Sequence, residues 1–325
     1  MNKLWNLQNY SAEALHRTVA RDGLHIRIHP QVHPFLRREV HTFVRWLRAN
    51  YPFPIRVNVS IPNTKKIRAN DGDLCYGRCF VPDDPDDSIT IDVAGGYDYD
   101  GDFRALQNYT WGTIFTLAHE LGHSMHSYYS DTTQDYVNHD YSIFVAEVAS
   151  TVNEVLLTKY LLKVETDPKR RAYILNHFLE GFRTTVFRQT LFAEFERRAH
   201  EMHQSGRPLT AQSLNAVYHE LNEKYYEGAV VDAFTDVEWA RIPHFYRAFY
   251  VYQYSTGFCS AVTIADRILN VPGAAEEYRR FLSTGGSDYP INELKIAGVD
   301  LTQPEPVANA MRVFAETVDE LEKLM

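Results

Sequence analysis

The sequence predicts an α+β protein, mainly α with a small mixed β-sheet. Two observations carry that expectation. Period-two alternation of apolar residues is confined to roughly the first hundred positions. From Trp111 onward apolar residues recur almost wholly at helical spacing, and the runs are punctuated by proline and glycine.

In chain order, Leu24, Ile26 and Ile28 alternate with His25, Arg27 and His29 as a first strand. Pro34 to Asn50 carries Phe35, Val40, Phe43, Val44 and Leu47 at helical spacing. Ile55, Val57, Val59 and Ile61 alternate as a second strand, and Ile89, Ile91 and Val93 as a later one. Lys66 to Ala69 and Leu74 to Phe80 flank Asn70-Asp71-Gly72, whose turn chemistry suits a hairpin. Helices are predicted near 111–130, 141–163, 168–204, 210–226, 245–270, 274–284 and 306–324. Their stops are Asp167-Pro168, Gly206-Arg-Pro208, Pro243, Pro272-Gly273 and Gly285-Gly286. No repeat or flexible linker interrupts the pattern. The chain reads as one unit, 1–325, with an α+β N-terminal lobe over 1–107 and a helical lobe over 108–325.

The 325 residues hold 33 Lys and Arg against 42 Asp and Glu, a net charge of −9. That balance disfavours a general nucleic-acid binder or a polybasic membrane binder. No run approaches 18 consecutive apolar residues, so no transmembrane helix is expected. The first residues, Met1 to Tyr10, lack a continuous apolar region and a small-residue cleavage site, so a secretory leader is not expected. The 3 cysteines, Cys75, Cys79 and Cys259, do not make a disulfide scaffold. Together these point to a cytoplasmic protein.

The chemistry concentrates in Leu117-Ala-His119-Glu120-Leu-Gly-His123-Ser. Helical positions four apart share a face, so His119 and His123 can offer two imidazoles to one ion. Glu120 lies about 100° round the helix, where its carboxylate reaches beside the ion as a general base for a water. A catalytic zinc wants a third protein ligand and an open position. Glu147, set among apolar and small residues in Phe144-Val-Ala-Glu147-Val-Ala, fits that need, because a carboxylate buried without a positive partner is costly. The alternative for Glu147 is an ion pair with Arg183 or Arg188. Glu154 lies seven residues on and can take an imidazole N–H from a ligand histidine. His126 competes as third ligand, but it stands about 10 Å from His119 along a straight helix. His25, His29 and His33 also run at spacing four, but across a break from strand to proline that argues against a second metal site.

A second cluster, His244-Phe-Tyr246-Arg-Ala-Phe-Tyr250-Val-Tyr252-Gln-Tyr254, carries imidazole and phenol donors suited to an oxyanion. An aromatic core helix accounts for most of these rings, and Tyr246, Tyr250 and Tyr254 share one stripe. Cys75 and Cys79 fall on one expected strand about 13 Å apart and read as core or groove residues.

Several segments together resemble oligoendopeptidase F, a bacterial branch of the thimet-oligopeptidase-like zinc metallopeptidases. They are Thr116 to Ser127, Tyr141 to Ser150, Thr185 to Thr190, Ile242 to Tyr246 with Tyr250 to Tyr254, and Gly285-Gly-Ser-Asp-Tyr-Pro290. The resemblance runs from about Asn108 to the C-terminus. It implies a zincin-like catalytic domain binding one zinc per chain through His119, His123 and Glu147, with Glu120 as general base and acid. It places His244 and a tyrosine at the substrate carbonyl, Tyr252 matching best and Tyr250 the alternate. The implied activity is zinc-dependent endopeptidase cleavage of oligopeptides. Rival readings are a carboxypeptidase or dipeptidase on the same scaffold, or a non-enzymatic peptide-binding module.

The chain departs from the family in length. It reads as a short form lacking most of the N-terminal half that roofs the substrate channel in longer members. An open groove would admit unfolded peptides as well as oligopeptides, and a homo-oligomer is one arrangement that would cover it. The strands before the zinc helix look like the sheet that flanks it, and an edge strand there can take an extended peptide by β-augmentation.

Overall fold

The computed structural model describes residues 23–50, 53, 55–69, 74–82, 88–97 and 101–325. These residues fall into two compact units. One holds the described residues up to Ser142, with Ala149–Leu157 and Glu276–Tyr289. The other holds Ile143–Val148, Thr158–Ala275 and Pro290–Met325. The first 22 residues, which bear on a secretory leader, and the turn Asn70-Asp71-Gly72 lie outside the described residues.

The first unit is built on a four-stranded sheet in the order β1 (Gly23–Ile28), β2 (Arg56–Ile61), β6 (Ile89–Val93), β5 (Gly77–Phe80). β1, β2 and β6 run parallel and β5 closes the edge antiparallel. A parallel pair cannot be joined by a tight turn, and α1 (Pro34–Asn50) supplies the crossover from β1 to β2. It buries Leu36, Val40, Val44 and Leu47, one helical stripe. β2 is more enclosed than its alternating sequence suggests, since Arg56 and Asn58 are also buried. Arg56 donates to the Asn58 side-chain oxygen at 2.8 Å, and Asn58 donates to the Ser88 hydroxyl at 2.9 Å, so these polar groups are satisfied.

The expected strand over Leu74–Phe80 breaks at Tyr76. β4 (Leu74–Cys75) pairs with β3 (Ile67–Arg68) in a small separate hairpin, whereas β5 joins the main sheet. Cys75 and Cys79 therefore sit in different sheets. A long helix, α2 (Phe103–Thr133), packs on β5 and β6 and against α1. Asp102 caps it, its carboxylate accepting from the N–H groups of Arg104 and Ala105 at 2.9 and 3.2 Å.

A second long helix, α3 (Ile143–Val164), contributes residues to both units. The remainder of the second unit is helical. α4 (Pro168–Gly181) begins at the expected stop, with Asp167 as cap and Pro168 in its first turn. It continues through a π-helical stretch, Phe182–Phe187, into α5 (Arg188–Gln204). The expected helix over 168–204 is therefore one rod with a wider turn at its middle. α6 (Ala211–Tyr225) opens with a capping box between Thr210 and Ser213. The expected helix over 245–270 starts late. Pro243–Tyr246 is a 3₁₀ turn, and α7 spans Tyr252–Asn270. The reason is Phe249, the single non-glycine residue with positive φ among the described residues (56°), which no right-handed helix admits. α8 (Ala274–Leu282) and α10 (Glu305–Glu322) match expectation, and α9 (Pro290–Ile296) is a short helix the periodicity did not flag.

Phe182, fully buried in the π-helical stretch, meets Phe178, Phe258 and Phe314 at ring distances of 5.2, 4.9 and 5.3 Å. Phe182→Ala should cost about 3–5 kcal/mol of stability, read as a lowered midpoint of urea unfolding.

Candidate metal centre

The site begins with a close helix crossing in the first unit. A Cβ added to Gly122 of α2 would lie 2.5 Å from the Ser150 Cα and 2.6 Å from the Ala149 carbonyl oxygen of α3. Only a residue without a side chain lets the two backbones approach so closely. The contact falls between His119 and His123, one residue before the second. Three residues to the N-terminal side of Gly122, His119 turns its Nδ1 to the Glu154 carboxylate at 2.6 Å. Asn153 donates to the Ala118 carbonyl at 3.1 Å and ties the helices again.

With Nδ1 of His119 engaged by Glu154, its Nε2 is directed to the other side, 3.2 Å from Nε2 of His123. The rings stand edge to face, with centroids 4.8 Å apart. Two nitrogen ligands of one tetrahedral zinc lie roughly 3.3 Å apart, so this spacing suits a shared ion. Ligand atoms of His119, His123 and Glu147 all lie within 4.8 Å of one another. Theirs is the one such group among the described residues. The alternative partners for Glu147 pair elsewhere: Arg183 with Glu180 and Arg188 with Glu238, each at 2.6 Å.

Glu120 is buried and points to the edge strand. A Cβ at Gly77 of β5 would come within 2.6 Å of a Glu120 carboxylate oxygen and 2.5 Å of the Thr116 methyl. Gly77 is thus the clearance that the Glu120 side chain occupies. Nothing in the periodicity marks this glycine; its role appears only when strand and helix are packed. Beside it, Cys79 Sγ meets the Ser124 hydroxyl at 3.0 Å. Burial, and to a lesser degree the charge of Glu120, push the Cys79 thiol up to about 12 against the lowering effect of Ser124. It is a protonated, inert group, not a ligand.

His126 is not among the clustered ligands. It is buried flat against Tyr141, with ring centroids 3.6 Å apart, and burial followed by the nearby His123 lowers its pKa to about 3. It packs as a neutral aromatic ring. His29 and His33 accept the N–H groups of Gln31 and Phe35 at 3.2 Å each, as local turn caps.

The tyrosine cluster belongs to the second unit, as does Glu147. His244 stacks on Tyr250, with centroids 5.8 Å apart, and its Nε2 lies 3.3 Å from the Tyr254 hydroxyl. Tyr250 and Tyr254 meet edge to face at 5.6 Å. Burial, then Tyr250 and the negative charge of Glu147, push the Tyr254 phenol up. Tyr252 opens α7 and faces Phe144, one helical turn before Glu147, at 6.1 Å. Tyr246 is almost fully exposed. Tyr254, which the sequence placed in an aromatic stripe, thus stands with His244 and near Glu147.

Two histidines and a glutamate whose ligand atoms cluster beside the buried Glu120 form a group that could hold a metal ion. The model of Peptidase family M3 matches residues 106–313, and the chain belongs to that family. Oligopeptidase PepF of Bacillus subtilis is 54% identical over 214 residues, which are 65% of this chain and 32% of the relative. Group B oligopeptidase PepB of Streptococcus agalactiae is 50% identical over 234 residues, 71% of this chain and 39% of the relative. The crystal structure of oligoendopeptidase-F from Enterococcus faecium aligns with a TM-score of 0.61 at 50% identity, covering 66% of this chain and 39% of that one. That of a putative peptidase from Chlamydophila abortus aligns at 0.70 and 33% identity, over 87% of this chain and 44% of that one. The chain spans between about a third and two fifths of the length of these curated relatives.

Gly122→Val inserts a branched side chain where a backbone already lies, and should destabilise the protein by about 1–3 kcal/mol, measured by urea unfolding. Circular dichroism should show unchanged helix content below the transition.

Proposed function

We propose that the chain carries a zinc endopeptidase site that hydrolyses peptide bonds in oligopeptides. The observation that carries the reading is the convergence of His119, His123 and Glu147 ligand atoms within 4.8 Å, with His119 fixed by Glu154. The names of the relatives, oligopeptidase and oligoendopeptidase, support the substrate class. His119, His123 and Glu147 would hold one zinc, and the donor set of two imidazoles and a carboxylate is that of hydrolytic zinc sites. Zinc bound there supplies Lewis acidity and a water acidified toward neutrality.

The chain's own residues do the rest. Glu154 accepts the His119 Nδ1 proton and so leaves Nε2 as the ligand atom. Glu120 accepts a proton from the attacking water at its carboxylate and delivers it to the leaving amine nitrogen. Phenol and imidazole donors of the Tyr250, Tyr252, Tyr254 and His244 cluster hold the carbonyl oxygen as charge develops on it. β5 pairs with β6 along one side. Its other edge is a place for an extended peptide to add a strand. No described helix is long and apolar enough to cross a membrane.

The reading is tested by mass spectrometry of a peptide ladder digested with and without chelator, alongside elemental analysis. Internal cleavage that stops with chelator and returns with zinc is expected; cleavage unaffected by chelator would refute it. Glu120→Gln should keep its zinc while turnover falls on the order of a hundredfold or more. Glu154→Gln should instead weaken zinc binding by roughly 10–100-fold, read by competition with a chromogenic chelator.

The tyrosines are separated by single hydroxyl deletions. Tyr254→Phe, Tyr250→Phe and Tyr252→Phe each remove one donor and little volume. Loss of the true carbonyl donor should lower kcat by roughly 100–1,000-fold, whereas the other two should stay within about tenfold of the parent enzyme.

A further inference from the structure

The segment between the 3₁₀ turn Pro243–Tyr246 and α7 is held by an unusual device. Its two flanks are anchored apolar residues, Ile242 and Val251, both buried in the core of Phe192, Phe195 and Tyr218. Between them Phe249 takes φ 56°, the left-handed region that bulky side chains avoid. Its ring is half exposed and, among the described residues, stacks on His200 alone, with centroids 4.7 Å apart. Packing of its side chain therefore does not account for the strained backbone. Its N–H does: it donates to the Glu196 carboxylate of α5 at 2.7 Å, and Glu196 is buried. A buried carboxylate must be satisfied by donors, and an N–H to a carboxylate is among the stronger hydrogen bonds. Residues in such conformations persist only where their surroundings over-determine them, and they gather at functional sites.

We infer that Glu196 is a positioning residue: by holding the Phe249 N–H it keeps the backbone in the left-handed turn that directs Tyr250 toward His244 and starts α7 at Tyr252. A right-handed Phe249 would carry the next residue in another direction and rotate the phenols away from His244. Glu196 touches no reacting atom; it acts through the backbone of residue 249. The catalytic side of this inference rests on the proposed peptidase function, but the anchor itself does not.

The test uses the full chain loaded with zinc and four variants: Glu196→Ala, Glu196→Gln, which keeps an acceptor oxygen, Phe249→Gly, and the double Glu196→Ala/Phe249→Gly. Hydrogen exchange of residues 247–251 is followed by mass spectrometry, and kcat and KM are measured on a nonapeptide. Glu196→Ala should speed exchange in this segment and lower kcat by about tenfold, with KM little changed. Glu196→Gln should retain most of kcat. The double variant should recover much of it, because glycine occupies positive φ without penalty and no longer needs the anchor. A general loss of packing would not be rescued by a residue that removes a ring.

Unchanged exchange and unchanged kcat in Glu196→Ala would overturn the inference. So would equal losses in the Gln and Ala variants, or a double variant as slow as Glu196→Ala. If Glu196→Ala does not fold, Phe249→Val decides: a β-branched residue resists positive φ, so it should speed exchange and lower kcat, and wild-type values would overturn the inference. A wild-type chain that cuts no peptide would refute the functional reading instead, and the exchange comparison would still decide the anchor.

Discussion

The close approach of α2 and α3 at Gly122 is the constraint on which the proposed metal centre depends. A methyl group there would collide with the backbone of Ala149 and Ser150. Because the two helices touch at that point, α3 presents the Glu154 carboxylate to His119 of α2. Glu154 lies 2.6 Å from Nδ1 of His119, which leaves Nε2 of that ring turned to His123. Glu147, two turns earlier on the same helix, offers a carboxylate oxygen within 4.8 Å of ligand atoms of His119 and His123, the third ligand in the proposed site. Two histidines on one helical turn are a common accident; the Glu154 carboxylate set against one of them is what raises the pair above it.

The same economy of space appears at the edge of the sheet. Gly77 leaves the volume that Glu120 fills, so the proposed base is walled by a strand instead of by solvent. A carboxylate in such a place is shielded from bulk water, and its interactions with nearby charge are strengthened accordingly. Cys79, on the same strand, illustrates the other outcome of burial: its thiol is held protonated and takes no part in ligation.

The second unit answers a different need. Its aromatic donors span the 3₁₀ turn Pro243–Tyr246, the irregular residues that follow and the first turn of α7, and the irregular part needs fixing from outside. Here the fixing is done by Ile242 and Val251 in the core and by Glu196 beneath Phe249. Tyr250 and Tyr254 are brought onto one imidazole by that arrangement, although on a continuous helix they would merely be neighbours in a stripe.

Much was legible in the chain alone. The strands Gly23–Ile28, Arg56–Ile61 and Ile89–Val93, the helices after Phe103 and the histidine pair follow from local rules: alternation, helical spacing, capping and the i, i+4 geometry of imidazoles. Glu147 could be singled out because a carboxylate in an apolar run needs a partner, and Glu154 because, seven residues on, it lies near the same helical face. What packing alone decided was different in kind. The break at Tyr76, the roles of Gly77 and Gly122, the place of Tyr254 beside His244 and the left-handed turn at Phe249 all depend on residues distant in sequence. A local pattern reports which face of an element is apolar; it carries no information on which atom of another element will lie against it.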